Sequence, residues 1–250
     1  MSTTLTDRED APDAALVVWI ACVPEFRDEL PALEALLDPR EVERAGRFRF
    51  PEDRARFVVG RGLLRHALRR YAPEIPATLE IAYSNLGRPF VPAEHEAPRF
   101  SISHTRDLVT LAFAEVAQVG IDVEFIQAPV DLLDLAERIL SEDDFRTFQS
   151  FPQVEQKLAF FRAWTRKEAY LKARGEGIGT GLQDVSVSFA AEAASPVSDR
   201  RDASSASWRL HMLPVPDDYM SCVACDEAGR PVASFAVRMD KGELRLEPIA

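Results

Sequence analysis

Two stretches of helical periodicity, each set among short apolar runs, constrain the fold most. Residues 52–71 (EDRARFVVGRGLLRHALRRY) place Phe57, Leu64, Leu68 and Tyr71 at helical spacing, and Pro73 and Pro76 stop the pattern. Residues 153–173 read as a second long helix, and shorter helices are expected near 25–37, 39–47 and 131–149. Strands are expected at Leu16–Val23, Leu79–Tyr83, Arg99–Ser103, Leu108–Glu115 and Val119–Phe125. Asn85-Leu86-Gly87-Arg88-Pro89 reads as a turn. Trp208–Leu213, Tyr219–Cys225 and Val232–Arg238 read as an antiparallel meander. The order is helix then strands, followed by strand, helix, strands. It predicts two α+β halves meeting near residue 118: an N-terminal half over 15–118 and a C-terminal half over 119–250. Residues 1–14 are expected to be a disordered tail. Residues 190–206 (AAEAASPVSDRRDASSA) are small, polar and aperiodic, and are expected to form a flexible loop.

A chain of 250 residues with 46% hydrophobic and 28% charged residues can bury a core without disulfides or metal staples. Its longest apolar run, Ala14–Val23, has ten residues; a bilayer span takes roughly 20, so no membrane segment is expected. The N-terminus carries no signal-peptide pattern, and three cysteines make no disulfide framework. A cytoplasmic protein is expected. The net charge of −11 argues against non-specific nucleic-acid binding. The charge is uneven, however: Asp38 to Arg70 holds ten arginines against five acids. Either a specific anionic ligand docks there, since the guanidinium fork suits phosphate, or these are helix faces solvated through i,i+4 ion pairs.

Three segments carry chemistry. In Val119–Phe125 (VGIDVEF), strand alternation turns Ile121, Val123 and Phe125 toward the core and puts Asp122 and Glu124 together on the other face. Adjacent carboxylates suit a hard cation such as Mg²⁺, or are two solvated acids on a half-exposed strand. In Phe160–Lys172, helical spacing aligns Trp164, Glu168 and Lys172. That row offers a base beside a phosphate clamp, or an ordinary Glu168–Lys172 pair. Gly175, Gly177, Gly179 and Gly181 follow; they let backbone approach a ligand or simply end the helix. The third segment, Phe100-Ser101-Ile102-Ser103-His104-Thr105, has no G-x-S-x-G elbow around its serines. The lone pair in Cys222-Val223-Ala224-Cys225 lies in an expected strand and reads as structural.

Together, the turn at 85–89, the strand end at 100–105, the Val119–Glu124 segment and the Trp164–Lys172 helix with its glycine tail resemble the Sfp-type 4′-phosphopantetheinyl transferases. The resemblance covers roughly 15–240. Arg88 stands where family members often carry lysine in a G-K-P turn, and Glu41 stands where another basic residue is expected.

The resemblance implies an α+β fold of two similar α/β halves in a pseudo-twofold arrangement, with antiparallel sheets and a long helix in each. It implies transfer of the phosphopantetheine arm of coenzyme A to a serine of an acyl or peptidyl carrier protein, with release of 3′,5′-ADP. It further implies a Mg²⁺ ion, with Mn²⁺ as the alternative, held by Asp122, Glu124 and Glu168. Glu168 is implied as the base and Lys172 as the group that neutralises the diphosphate. Ser103 and His104 are implied to bond phosphate oxygens, Arg44 and Arg56 to hold the 3′-phosphate, and Arg88 to contact the adenine end. An acidic carrier protein is the expected partner of a monomeric enzyme. Two alternatives remain: another Mg²⁺-dependent phosphotransferase, and a coenzyme A binder without activity.

Overall fold

The structure is a computed structural model that describes residues 16–76, 79–115, 117–127, 131–176, 181–226 and 231–249. The tail expected over 1–14 lies outside the described residues. In chain order the first elements are β1 (Leu16–Cys22), α1 (Leu30–Glu34), α2 (Pro39–Gly46), α3 (Pro51–Tyr71), β2 (Ala82–Tyr83) and β3 (Pro89–Phe90). Next come β4 (Arg99–Thr105), β5 (Leu108–Ala114), β6 (Val119–Phe125), α4 (Leu132–Ile139), α5 (Glu142–Ser150) and α6 (Gln153–Arg174). The last are β7 (Val185–Val187), β8 (Ala194–Asp199), β9 (Arg209–Met212), β10 (Tyr219–Cys225), β11 (Val232–Asp240) and β12 (Glu243–Ile249). No described helix is long and apolar enough to cross a membrane.

The chain divides into two compact α+β units, residues 1–116 with 230–250, and residues 117–229. Each has a five-stranded sheet and one long helix. The break between the units falls at 116–117, and 230–250 group with the first unit rather than the second. Instead of closing a meander on β10, β11 pairs in parallel with β1, from Leu16 opposite Val232 to Ile20 opposite Ala236. The first sheet therefore runs β12-β11-β1-β5-β4, and its other pairings are antiparallel. Side-chain pattern finds a strand but not its partner, which is why this return is invisible locally. The core of the unit joins the sheet to α3 through Trp19, Phe57, Leu64, Phe113, Phe235 and Val237. The Trp19 indole N–H donates to the Tyr71 hydroxyl at 3.1 Å, so even the polar tips inside this core are satisfied.

In the second unit the sheet order is β6-β10-β9-β8-β7, antiparallel throughout. The expected helix over 131–149 breaks after Ile139, because the Ser141 hydroxyl caps a new helix by accepting from the Asp144 N–H at 3.1 Å. The loop expected over 190–206 instead contains β8, whose Ser195, Val197 and Asp199 point inward. Its hydrophilic composition hid a true two-residue alternation. Cys222 and Cys225 are buried thiols in β10. Burial pushes the Cys222 thiol well above its ordinary range, in keeping with an inert structural role.

Candidate active site

The centre of the second unit is the packing of α6 on β6. Gly120, Asp122 and Glu124 occupy alternate positions of β6 and so share one face. A Cβ on Gly120 would stand 2.1 Å from the Ala169 carbonyl oxygen and 2.3 Å from the Ala173 nitrogen. Only glycine lets α6 come this close. Across the strand pair, Cys222 lies opposite Asp122 and Ala224 opposite Gly120, and both belong to the core of this unit with Ala169 and Ala173. The sequence reading had turned the acids away from the core. In fact they sit on its face, beneath α6, and Asp122 is buried.

Five side chains converge there. The Lys172 ammonium donates to Asp122 Oδ1 at 2.6 Å. The Trp164 indole N–H donates to Glu124 Oε1 at 3.0 Å. Glu168, one turn from each of those helix residues, is 2% exposed, and its Oε1 has no hydrogen-bond partner. Burial, then the charge of Asp122, pushes the Glu168 carboxyl up to about 7, with Glu124 adding to the repulsion and Lys172 opposing it. Burial and Asp122 also raise Glu124, against the Trp164 bond and Lys172. The Ser221 hydroxyl donates to the Asp122 carbonyl at 2.7 Å and anchors the strand backbone.

Among the described residues, no three His, Cys, Asp or Glu side chains form a ready-made metal site. The chemistry of the donor set nevertheless fits a hard divalent cation. It offers carboxylate oxygens only, they repel one another, and one buried oxygen lacks a partner. Lys172 supplies the positive charge that Asp122 meets in this structure.

Two neighbours of Glu168 went unnoticed in the sequence. Lys167 is fully buried and donates to the Leu182 carbonyl at 2.9 Å, the Ile139 carbonyl at 3.2 Å and Asp144 at 3.3 Å. Burial pulls its ammonium down to about 8. Arg166 is buried too, and its guanidinium donates to the carbonyls of Ser188, Ala190 and Glu192. Two consecutive cations on α6, at 166 and 167, were the available signal: a helix that buries both must anchor them on backbone carbonyls. Gly175, in a left-handed conformation with φ 73°, ends the helix; Gly177 and Gly179 of the expected glycine tail lie outside the described residues.

In the first unit, α2 and β2 border a pocket of about 660 Å³ lined by Arg40, Glu43, Arg44, Arg47, Phe48 and Tyr83. The Arg44 guanidinium lies 5.2 Å from the Phe57 ring centre and 5.9 Å from that of Tyr83. Of the basic residues expected to meet coenzyme A, Arg44 lines this pocket, as does Arg40 near the Glu41 position, whereas Arg56 and Arg88 are not among its lining residues. Arg56 donates to the Arg106 carbonyl at 2.7 Å and to Asp53 at 3.0 Å. Arg88 is partly buried and reaches the Phe100 carbonyl at 3.3 Å; burial lowers its pKa. Ser103 is buried and His104 exposed, and as neighbours in β4 they project to opposite faces. Glu41 is a structural residue. It closes a capping box with Asp38 at the start of α2, and Arg65 binds both acids at 2.8 Å.

Comparison with known proteins finds relatives across both units. The family model of the 4′-phosphopantetheinyl transferase superfamily matches residues 118–224, and the model of the 4′-phosphopantetheinyl transferase N-terminal region matches 23–116. The chain belongs to the 4′-phosphopantetheinyl transferase family. It is 34% identical over 209 residues to the 4′-phosphopantetheinyl transferase HetI of Nostoc sp., covering 83% of this chain and 84% of that protein. It is also 27% identical over 164 residues to the 4′-phosphopantetheinyl transferase Sfp of Bacillus subtilis, covering 66% and 71%.

Proposed function

We propose that this transferase moves the 4′-phosphopantetheine arm of coenzyme A to a serine hydroxyl of an apo acyl or peptidyl carrier protein. The serine oxygen bonds to the phosphorus attached to the pantetheine arm, the bond from that phosphorus to the bridging diphosphate oxygen breaks, and 3′,5′-ADP leaves. The observation that carries the reading is the convergence of Asp122, Glu124, Glu168 and Lys172 on one desolvated patch.

Glu168 is the base that takes the serine proton. Its buried Oε1 makes no hydrogen bond within the chain, which leaves that oxygen to accept the proton. Trp164 holds Glu124 in place. Lys172 releases Asp122 and neutralises the diphosphate, a transfer open to it because its side chain is 26% exposed. Asp122, Glu124 and Glu168 are the residues that hold Mg²⁺, which when bound supplies a Lewis acid and neutralises the departing phosphate. The pocket at Arg40, Arg44 and Arg47 takes the 3′-phosphate end of coenzyme A, where cationic and aromatic groups meet. An acidic carrier complements the remaining arginine surface of α2 and α3.

The test is mass spectrometry of a panel of apo carrier proteins mixed with the enzyme, coenzyme A and Mg²⁺. A gain of one phosphopantetheine on a carrier, with equimolar 3′,5′-ADP, supports the reading. Coenzyme A consumption without any carrier gain refutes it.

A further inference from the structure

One side chain of the candidate site faces all three of its acids. The Lys172 ammonium donates to Asp122 Oδ1 at 2.6 Å, on a carboxylate side chain that is 4% exposed. Burial, then the charge of Asp122, raises the Glu124 and Glu168 carboxyls, and Lys172 is among the groups that oppose both rises. Its charge therefore acts on the whole trio. The cations next along α6 have no such freedom. Arg166 and Lys167 are buried, and each is held by backbone carbonyls. Lys172 keeps its side chain 26% exposed, two residues before Arg174 closes the helix. An ammonium on a flexible four-carbon stem can turn outward there without unwinding α6. A divalent ion at these acids has to take Asp122 from a cation that the chain itself supplies. Separating a buried pair is unfavourable unless both charges meet new partners. The acids find theirs in a divalent cation, and the ammonium finds its own in a diphosphate. Each ligand removes the penalty that opposes the other.

We propose that Lys172 is a tethered counter-ion that couples the two ligands of this transferase. It stays beside Asp122 until coenzyme A draws it to the diphosphate, so that Mg²⁺ binds tightly only with coenzyme A, and coenzyme A only with Mg²⁺. The inference rests on the assignment of Asp122, Glu124 and Glu168 to Mg²⁺ and of Lys172 to the diphosphate, and adds how the two occupants depend on each other.

The experiment measures, by calorimetry, the Mg²⁺ affinity of the parent, Lys172→Met and Lys172→Gln, each alone and with saturating coenzyme A, with thermal unfolding of each. Lys172→Met is expected to bind Mg²⁺ alone roughly 10-fold tighter than the parent, the scale of one close charge pair that no longer has to be broken. The gain in Mg²⁺ affinity on adding coenzyme A is expected to shrink by a similar factor. Contact of the ion with the diphosphate contributes to that gain in every variant, so the difference between variants isolates Lys172. Lys172→Gln removes the charge but keeps a donor for Asp122. It is expected to move in the same direction, and it carries the test should the Met variant not fold. Loss of packing alone would weaken Mg²⁺ binding, so a tightening separates the counter-ion from a structural residue. Neutral variants that bind Mg²⁺ alone no more tightly than the parent overturn the proposal alone. So does an undiminished gain on adding coenzyme A, because Lys172 then bridges acids and diphosphate at once. A parent that takes up no Mg²⁺ even with coenzyme A overturns the metal assignment and the proposal with it.

Discussion

Lys172 and Asp122 meet at 2.6 Å, an ammonium from α6 on a carboxylate from β6. The contact spans the seam that only Gly120 makes possible, and it puts a positive charge among three acids. A divalent cation bound by those acids, as proposed, would compete with Lys172 for Asp122. Asp122→Asn is therefore expected to lose transfer by roughly 100-fold or more while the fold persists. Glu124→Gln is expected to be the milder change, since water can replace one metal ligand. Carrier mass shift at limiting and saturating Mg²⁺ checks both. An Asn variant as active as the parent at limiting Mg²⁺ would remove Asp122 from the metal site.

Glu168→Gln separates the two jobs proposed for that residue. It keeps one oxygen and the shape but cannot accept the serine proton. Coenzyme A binding with Mg²⁺ is expected to persist while turnover falls roughly 100-fold, the usual scale for loss of a general base. Glu168→Ala is expected to lose binding as well. Calorimetry and mass shift on the two variants test this. Parental turnover in the Gln variant would assign the proton to another group.

Stability gives an independent view of the same carboxyl. Its folded value of about 7 lies above the ordinary 4.5. Between those values the folded chain holds a proton that the unfolded chain has released. The associated stability is full below pH 4.5 and lost as pH rises through 7. It amounts to about 3 kcal/mol. In chelator, the Tm of Glu168→Gln is expected to gain on that of the parent across this window and to hold level above it. A difference independent of pH would mean that Glu168 ionises as it does in water.

Gly120→Ala tests the seam itself. The added Cβ meets backbone atoms of α6, which cannot move aside as a flexible side chain can. A loss of about 1–3 kcal/mol is expected, together with a drop in transfer as Glu168 and Lys172 are displaced from Asp122. Thermal unfolding and activity are both needed. Unchanged values in both would show that the helix has room the structure does not show.

Lys167→Met tests the anchoring of α6. It strands the buried Ile139 and Leu182 carbonyls, which Lys167 now satisfies. A fall in stability of about 1–3 kcal/mol for each stranded acceptor is expected. Chemical denaturation measures it, and a variant as stable as the parent would mean that other donors take over those carbonyls.

Much of the site was legible in the sequence because its residues obey local periods. Asp122 and Glu124 share a strand face, and Trp164, Glu168 and Lys172 share a helix row. Both arrangements stand in the structure. Which face of β6 is covered was not legible. Ile121 and Val123 look like the core side, yet α6 lies over the acids because of one glycine. Nor was the network of Asp38, Glu41, Arg61 and Arg65 legible, since a charged run on a helix looks alike whether buried or solvated. The parallel pairing of β11 depends on a partner more than 200 residues away, which no window along the chain can report.

That pairing also sets an order of events during synthesis. The second unit is one uninterrupted segment and can complete its sheet once residue 225 has left the ribosome. The first unit cannot. Its strand β1 emerges early, and β5 can cover one side of it, but the other side waits for Val232–Ala236. Phe235 and Val237, which join the core around Trp19, arrive with them. A chain released after residue 229 would therefore carry a finished catalytic-acid unit tethered to a sheet with an open edge, the kind of edge that recruits other chains. The open edge of the first sheet is thus closed by a segment far in sequence from every group proposed to do chemistry.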